Sequence, residues 1–530
     1  MERRAFLGSA VGALALSGCG AAHAIEGGFT GIDVARGHLL RDGRWQGGAP
    51  QATRRTRVLI AGGGVAGLAA ARALRLQGID DFALLELEDA AGGNARGGAV
   101  GGIACPLGAH YLPLPGDDAA EVQDLLEELG VRRRVAGRWQ YDEFMLCHSP
   151  QERLFFRGEW QDGLLPLHGV GAATLAQYRR FARRIEALRR ETRFVIPTLK
   201  APLSATLLQL DAQPFSDWLA REGFDDAQLA WLLDYCCRDD YGAGLAHVSA
   251  WAGLHYFASR HGFAAPGADN GERDSVLTWP EGNGWLTRQL AAPLGERLHT
   301  GSVVTRIAQT RAGVEVDAFD VRSRQRLRWQ AERCIVALPL FIARRVVENP
   351  AALLAQAAAQ AQYAPWLVAN VHIAAPLADR RGAAPSWDNV VYGTAGLGYV
   401  DARHQSLDPT PRATVLSWYR PLGPSRYDGA SLSQARRNLL EQPWSAWRDA
   451  LLAELSVPHP DLSALATRID ITRYGHAMAI PAPGRLAQLP PLGRSVPVAG
   501  RLSFAHADWS GYSIFEEAFT RGHLAATALA

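Results

Sequence analysis

The sequence predicts an α/β protein in which a Rossmann-like, GxGxxG-type nucleotide-binding domain is interleaved with a mixed α+β domain. Two observations predict it. A strand, glycine turn, helix and strand follow one another between Arg57 and Glu86, and a chain of 530 residues exceeds one ordinary hydrophobic core.

The first strand is the apolar run Val58 to Ala61, and the turn is Gly62-Gly-Gly64-Val65-Ala66-Gly67. Gly62 permits the tight turn, Gly64 lets backbone amides approach a pyrophosphate, and Gly67 lets the helix pack against the strand. Val65 and Ala66 open the helix, whose positive end faces the phosphates. Phe82 to Glu86 is the second strand, and Glu86 at its end accepts hydrogen bonds from an adenosine ribose. An acid there repels a 2′-phosphate, so FAD or NAD is favoured over NADP.

Beyond the unit the chain reads Gly92-Gly93-Asn94-Ala-Arg96 and then Leu107-Gly108-Ala109-His110-Tyr111. Further on come Trp279-Pro-Glu-Gly-Asn-Gly-Trp285, Val303-Val304-Thr-Arg-Ile307, Cys334 to Pro339, Val498-Ala499-Gly500-Arg501 and Trp509-Ser510-Gly511-Tyr512. In that order these segments resemble the flavin amine oxidase superfamily of monoamine oxidases, polyamine oxidases and carotenoid desaturases. The resemblance implies an amine oxidase-like fold, bound FAD and oxidation of an amine, with polyamines included. The alternatives are a desaturase of an apolar, carotenoid-like molecule and a non-catalytic flavoprotein.

The resemblance also assigns roles. FAD contacts are expected at Gly93, Gly108, Ala109, His110, Val304, Gly500, Arg501 and Ser513, and Tyr512 is expected as one aromatic wall of the substrate pocket. Tyr512 and His476 are the expected catalytic positions, with His476 beside the flavin as a pocket-lining or a packed histidine, the alternative being a histidyl link to the flavin. Trp279 or Trp285 is a further candidate wall.

Departures from the pattern carry expectations of their own. The family's Gly-Gly-Arg is Gly92-Gly93-Asn94, so Arg96 is expected to supply the phosphate-facing arginine, and Ala-Gly-Glu is Ala499-Gly500-Arg501. The chain's single lysine, Lys200, lies outside the stretch Tyr363 to His372 where the family places one near flavin N5, so an acceptor other than O2 is an option. No cysteine precedes Pro481-Ala-Pro483-Gly484, so FAD is expected to be held non-covalently.

The start of the chain, Arg3-Arg4-Ala-Phe6-Leu7 followed by Leu16-Ser17-Gly18-Cys19, resembles a twin-arginine lipoprotein signal. It implies the twin-arginine export machinery as a partner and an acylated Cys19 holding the protein to a membrane on the periplasmic side of a bacterial envelope, the alternative being a cytoplasmic protein.

The expected organisation is a signal over 1–19, a tether and surface arm over 20–53, and FAD-binding parts over 54–115, 275–345 and 485–530. The substrate side comprises a mainly helical part, 116–274, and a mixed part, 346–484. Val122, Leu125, Leu126 and Leu129 recur at helical spacing before Gly130, and Leu175 to Arg190 is an arginine-rich amphipathic stretch. Strand-like runs follow at Leu367 to Ile373 and Ala413 to Trp418.

A formal net charge of +2 argues against nucleic-acid binding. The cysteines lack metal-ligand spacing, and no metal is expected. Adjacent Cys236-Cys237 reads as helix core or, less simply, a vicinal disulfide. The nearby acids Asp234, Asp239 and Asp240 read either as a solvated helix end or as an entrance attracting a polycation.

Overall fold

The structure is a computed structural model and describes residues 24–43, 48–147, 151–260, 262–266, 275–378, 380–408, 410, 412–489 and 498–529. Arg3, Arg4 and Cys19 of the export signal lie outside the described residues.

Five strands from distant parts of the chain run parallel in the first domain. They are β1 (Ala52–Ala61), β2 (Phe82–Glu86), β3 (Leu298–Thr300), β4 (Gln325–Val336) and β5 (Leu502–Phe504), in the order β3-β2-β1-β4-β5. The register sets Ala61 beside Leu85 and Val336, Val336 beside Phe504, and Glu86 beside Thr300, so these residues share the carboxyl edge of the sheet. Both faces are covered, and β2 is buried at all five positions, as a continuous apolar run in a parallel sheet requires. An antiparallel meander, Ser302–Gln309 and Val314–Asp320, joins the first half of β4.

Helix α1 (Val65–Leu76) leaves the turn after β1. Its alanines follow from close packing, because the C-terminal helix crosses it so tightly that a Cβ on Gly522 would sit 1.9 Å from the Ala66 carbonyl.

The second domain is built on an eight-stranded sheet in the order Glu26–Phe29, Ala466–Ala479, Tyr363–Ile373, Thr414–Pro421, Tyr399–Asp401, Asp388–Val391, Glu152–Phe156 and Glu159–Asp162. The arm ahead of β1 therefore carries an edge strand, pairing Gly28 with Asp470. Residues 116–274 hold the helices Ala120–Glu128 and Ala172–Glu191, and they also hold two hairpins, whose turns place Ala136 at φ 48° beside Gly137 and Arg157 at φ 52° beside Gly158. Each left-handed pair is the usual two-residue hairpin turn, a signal that periodicity misses.

Two helices of this domain matter for the site. Helix α2 (Ala227–Tyr241) is capped by Asp226, which accepts from Gln228 and Leu229 amides, and ends at left-handed Gly242, φ 70°. Helix α3 (Ala250–Ala258) is capped by Ser249 and delivers Arg260 just past its end. The C-terminal helix α4 (Phe515–Thr527) is tied to this layer by Glu517, which accepts from the Thr198 amide and the Ser510 hydroxyl.

Candidate functional site

The β1–α1 turn forms a cradle at the carboxyl edge of the parallel sheet, where open α/β sheets bind ligands. Gly62 has φ 105°, and a Cβ there would meet the Ala337 carbonyl at 2.4 Å; a Cβ on Gly67 would meet the Gly62 carbonyl at 1.9 Å. Gly64 differs. Its nearest Cβ neighbour is the Gly93 Cα at 3.9 Å, so the two glycines face each other across a gap that side chains do not fill. Gly62, Gly64, Val65, Gly93 and Asn94 retain accessible surface, whereas Ala66 and Gly67 are packed under them.

Glu86 closes the far side of the cradle. Its Oε2 accepts from the Gly63 amide at 2.8 Å and its Oε1 from the Glu88 amide at 2.8 Å. Burial nevertheless raises its pKa above the usual carboxylate range. The glycine gap, the helix N-terminus and a buried acid at the strand end fit a dinucleotide.

Other expected cofactor residues are placed less simply. Gly108 touches the Asn94 backbone, since a Cβ would lie 2.0 Å from its carbonyl, and the Ala109 amide donates to that carbonyl at 2.9 Å. Ala109 and His110 keep open surface deep in the fold. Val304 is buried, at a point where the strand register slips between Val304 and Arg306. The Ser513 hydroxyl accepts from the Ala479 amide at 3.1 Å.

Arg96 is only partly what the sequence suggested. Its terminal nitrogens donate to the Gly31 carbonyl at 2.6 Å and the Ala90 carbonyl at 3.0 Å. With both terminal nitrogens already on backbone carbonyls, the buried Nε is the nitrogen left without a partner.

Gly500 and Arg501 are corrected outright. Gly500 is the left-handed turn before β5, and Arg501 pairs its carbonyl with the Cys334 amide, two residues below the carboxyl edge marked by Val336. Its amide and side chain bond Gln309 and the Glu332 carbonyl on the exposed side. The strand end that reaches the cradle is Phe504-Ala505-His506, with the Ala505 amide on the Val336 carbonyl at 3.0 Å. A small-residue Val-Ala-Gly pattern was mistaken for the strand end; the parallel pairing, which no local pattern reveals, sets it one turn later.

Tyr512 is a second correction. It is 1 % exposed and packs edge-on against Tyr241, Trp251 and His255 at 5.9, 6.1 and 5.6 Å, inside the helical core, with its hydroxyl unpartnered. Left-handed Gly511 turns the chain so that Ser513 and Ile514 keep the open surface instead. Trp279 is buried in the nucleotide-domain core and stacks at 4.8 Å on Trp285, which packs against that core and keeps accessible surface. His476 keeps open surface while its ring stacks on Phe341 at 4.3 Å, and burial lowers its pKa to about 4.

A feature that the sequence reading weighed only as an alternative lies past His110. His110 stacks on Tyr419 at 4.2 Å and lies 5.5 Å from Trp387, and Tyr111 meets Trp387 edge-on at 6.0 Å. The Tyr111 hydroxyl donates to Asp239 Oδ2 at 3.3 Å. Asp240 next to it pairs with Arg260 at 3.0 Å. The end of α2 is thus buried, and the solvated-helix-end reading is overturned. His110, Tyr111, Asp239, Tyr256, Arg260 and Asp388 all retain accessible surface although protein encloses them, which marks an internal recess.

Burial governs the titration of this recess. It lifts Asp239 to about 7, helped by Asp240, and Glu516 to about 7, and it raises Asp388 well above the carboxylate range. It lowers His110 to about 3. Asp234 is spoken for separately by Arg238 at 3.1 Å. The cation brought here is Arg260, while Lys200 braces Glu121 elsewhere at 2.6 Å. Arg260, Trp387, Asp388 and Tyr419 carry no sequence signal, because each is an ordinary residue until the fold assembles them. Cys236 and Cys237 are free and buried in α2, as the helix-core reading has it.

Comparison with known proteins follows the same outline. The sequence profile of flavin containing amine oxidoreductases matches residues 65–530. A curated relative, an L-amino acid dehydrogenase of Synechocystis sp., is 30 % identical over 142 residues, 27 % of this chain and 28 % of that protein. The chain thus spans under a third of that relative's length. Among solved structures, putrescine oxidase bound to putrescine superposes with TM-score 0.68 at 18 % identity, covering 90 % of this chain and 99 % of that one. Cyclohexylamine oxidase from Brevibacterium oxydans IH-35A gives 0.64 at 19 %, covering 89 % and 98 %. A CLA-producing fatty acid isomerase from P. acnes gives 0.63 at 15 %, covering 89 % and 98 %.

Proposed function

The chain belongs to the flavin containing amine oxidoreductase family and is an FAD-dependent oxidoreductase, and on that premise we propose that its substrate is an amine, oxidised at a carbon next to nitrogen. FAD, when bound, supplies the hydride acceptor. Gly62, Gly64, Val65, Glu86 and Gly93 would hold it, without a covalent link, and the remaining work falls to the chain's own side chains.

The observation that carries the reading is the enclosed recess with carboxylates and aromatic rings in its walls. His110 and His476, with pKa values lowered to about 3 and about 4, are neutral at pH 7 and do not repel a cation. Aromatic faces and an acid attract one. An apolar, carotenoid-like substrate would leave Asp239 and Asp388 desolvated without any gain. The protein's tasks are to orient the amine and exclude water, with His110, Tyr111, Trp387 and Tyr419 as walls.

The test is anaerobic flavin reduction across monoamines, polyamines, L-amino acids and a lipid extract. Bleaching by amines is the expected result; bleaching by the lipid extract alone, or by none, overturns the reading. Reduced flavin is expected to reoxidise slowly in air, since the family's lysine is replaced by no lysine in Tyr363–Ile373. From the first nineteen residues we further propose twin-arginine export and lipid anchoring through Cys19, on the periplasmic side. Replacing Arg3 and Arg4 by lysine should then retain the folded protein in the cytoplasm, and a wild-type chain found there uncleaved would remove the proposal.

A further inference from the structure

Of the three acids near the end of α2, Asp239 is the one without an arginine partner among the described residues. Asp240 and Arg260 form a pair at 3.0 Å, and Asp234 and Arg238 form another at 3.1 Å, so two of the three acids near the end of α2 are neutralised by arginines. Asp239 has no basic group within ion-pair distance among the described residues; its hydrogen-bond partner is the Tyr111 hydroxyl. Asp388 across from it adds a second acid, and Arg260 is already committed.

The rings complete the picture. Tyr111 carries Asp239 at its hydroxyl and meets Trp387 with its ring; Trp387 in turn neighbours His110, which lies on Tyr419. Tyr419 is held by donating to the Gly108 carbonyl at 3.1 Å, and His110 by its carbonyl, which accepts from Thr278 at 2.7 Å. The recess is therefore braced by hydrogen bonds at Tyr419 and His110, and it is walled by aromatic faces ending on an acid. Such a combination is built for an alkylammonium group. It is poorly built for a carboxylate, because the two arginines near Asp239, Arg238 and Arg260, are each already paired with an acid.

We infer that Asp239 is a specificity-determining residue that receives a second ammonium group, so that the preferred substrate is a dication, a diamine or polyamine, held at Asp239 by one end while the other end is oxidised. The inference rests on the amine reading above. The groups facing Asp239 are Tyr111, Asp240, Arg238, Arg260 and Asp388. Burial keeps Asp239 near its midpoint at neutral pH, and a docked cation would favour its ionised form, releasing a proton on binding.

The test uses the FAD-loaded full chain with putrescine and n-butylamine, which share a carbon chain and differ by one ammonium. Two readouts are taken: perturbation of the oxidised flavin spectrum, for binding, and the anaerobic reduction rate. The wild type is expected to prefer putrescine by at least about tenfold in Kd, and Asp239→Asn to shrink that ratio by a similar factor. Tyr111→Phe, which removes the hydroxyl that orients the carboxylate, should shrink it by about twofold to fivefold. FAD content and melting temperature of each variant report folding. Equal affinity for both amines in the wild type, or an unchanged ratio in Asp239→Asn, overturns the inference even if both amines reduce the flavin. Preferential putrescine binding without reduction by any amine supports it and sinks the amine oxidation reading instead.

Discussion

The cofactor cradle and the recess past His110 are made in opposite ways. The cradle is nearly all backbone: Gly62, Gly64, Gly67 and Gly93 matter for the side chains they lack, and the one charge, Glu86, is pinned by two amides. The recess is all side chain, with rings and ionisable groups contributed from positions 110, 111, 239, 260, 387, 419 and 516. The first is a tight local object that tolerates little steric change; the second is an assembly whose properties are electrostatic and depend on pH.

The sharpest way to break the cradle is steric. Gly67→Val forces a side chain into the Gly62 carbonyl, 1.9 Å from where its Cβ would stand, and should cost about 2–4 kcal/mol and abolish FAD retention, read by flavin absorbance and melting. Next, Glu86→Lys puts a cation where ribose hydroxyls need an acceptor and leaves the Gly63 and Glu88 amides without theirs. The purified protein should lose most of its flavin while Asp239→Asn, in the recess, keeps it.

The recess should answer to pH through Glu516. Glu516 is raised from 4.5 to about 7 by burial, so the folded state binds its proton more tightly than the unfolded chain. The stability this adds is complete below about pH 4.5 and is lost as pH rises through about 7. Glu516→Gln removes that loss, so the variant should melt about 1–3 °C above wild type at pH 8, with the gap closing towards pH 4. A gap that stays constant with pH would show that the carboxyl is not titrating in the fold.

The smallest effects belong to two residues that the sequence placed at the site and the structure removes. Tyr512→Phe deletes an unpartnered buried hydroxyl and should change stability by less than about 1 kcal/mol with flavin reduction intact. Tyr512→Ala should instead cost about 3–5 kcal/mol through a core cavity. Arg501→Ala, on the exposed side of the sheet, should leave FAD content unchanged and stability within about 0.5 kcal/mol. Loss of flavin in that variant would restore the strand end to Gly500-Arg501 and undo the register on which the cradle rests.

Much of the first domain was legible. Gly62 to Gly67 announce a turn because Gly67 answers a clash with the Gly62 carbonyl five residues back and Gly62 takes φ 105°, and Glu86 follows because the second strand returns directly to the same edge. The run Val122, Leu125, Leu126 was readable for the same local reason, and the helix Ala120–Glu128 buries all three. Gly500-Arg501 failed because a small-residue motif says where a strand could end, not which neighbour it pairs with; pairing of Val336 with Phe504 decides that. Tyr512 failed because its ring direction depends on Gly511 and on the α2 and α3 helices that receive it.

By itself, then, the sequence determined the nucleotide-binding unit, the superfamily and the helices with strong apolar periodicity, all of which depend on contacts between residues close in the chain. Only the tertiary structure decided that Asp239 is buried, that Arg260 cancels Asp240 and not Asp239, and that His110, Tyr111, Trp387 and Tyr419 wall one recess. Burial and charge pairing are properties of neighbours in space, and desolvation, which sets the behaviour of every acid there, has no magnitude until the fold supplies the neighbours that exclude water.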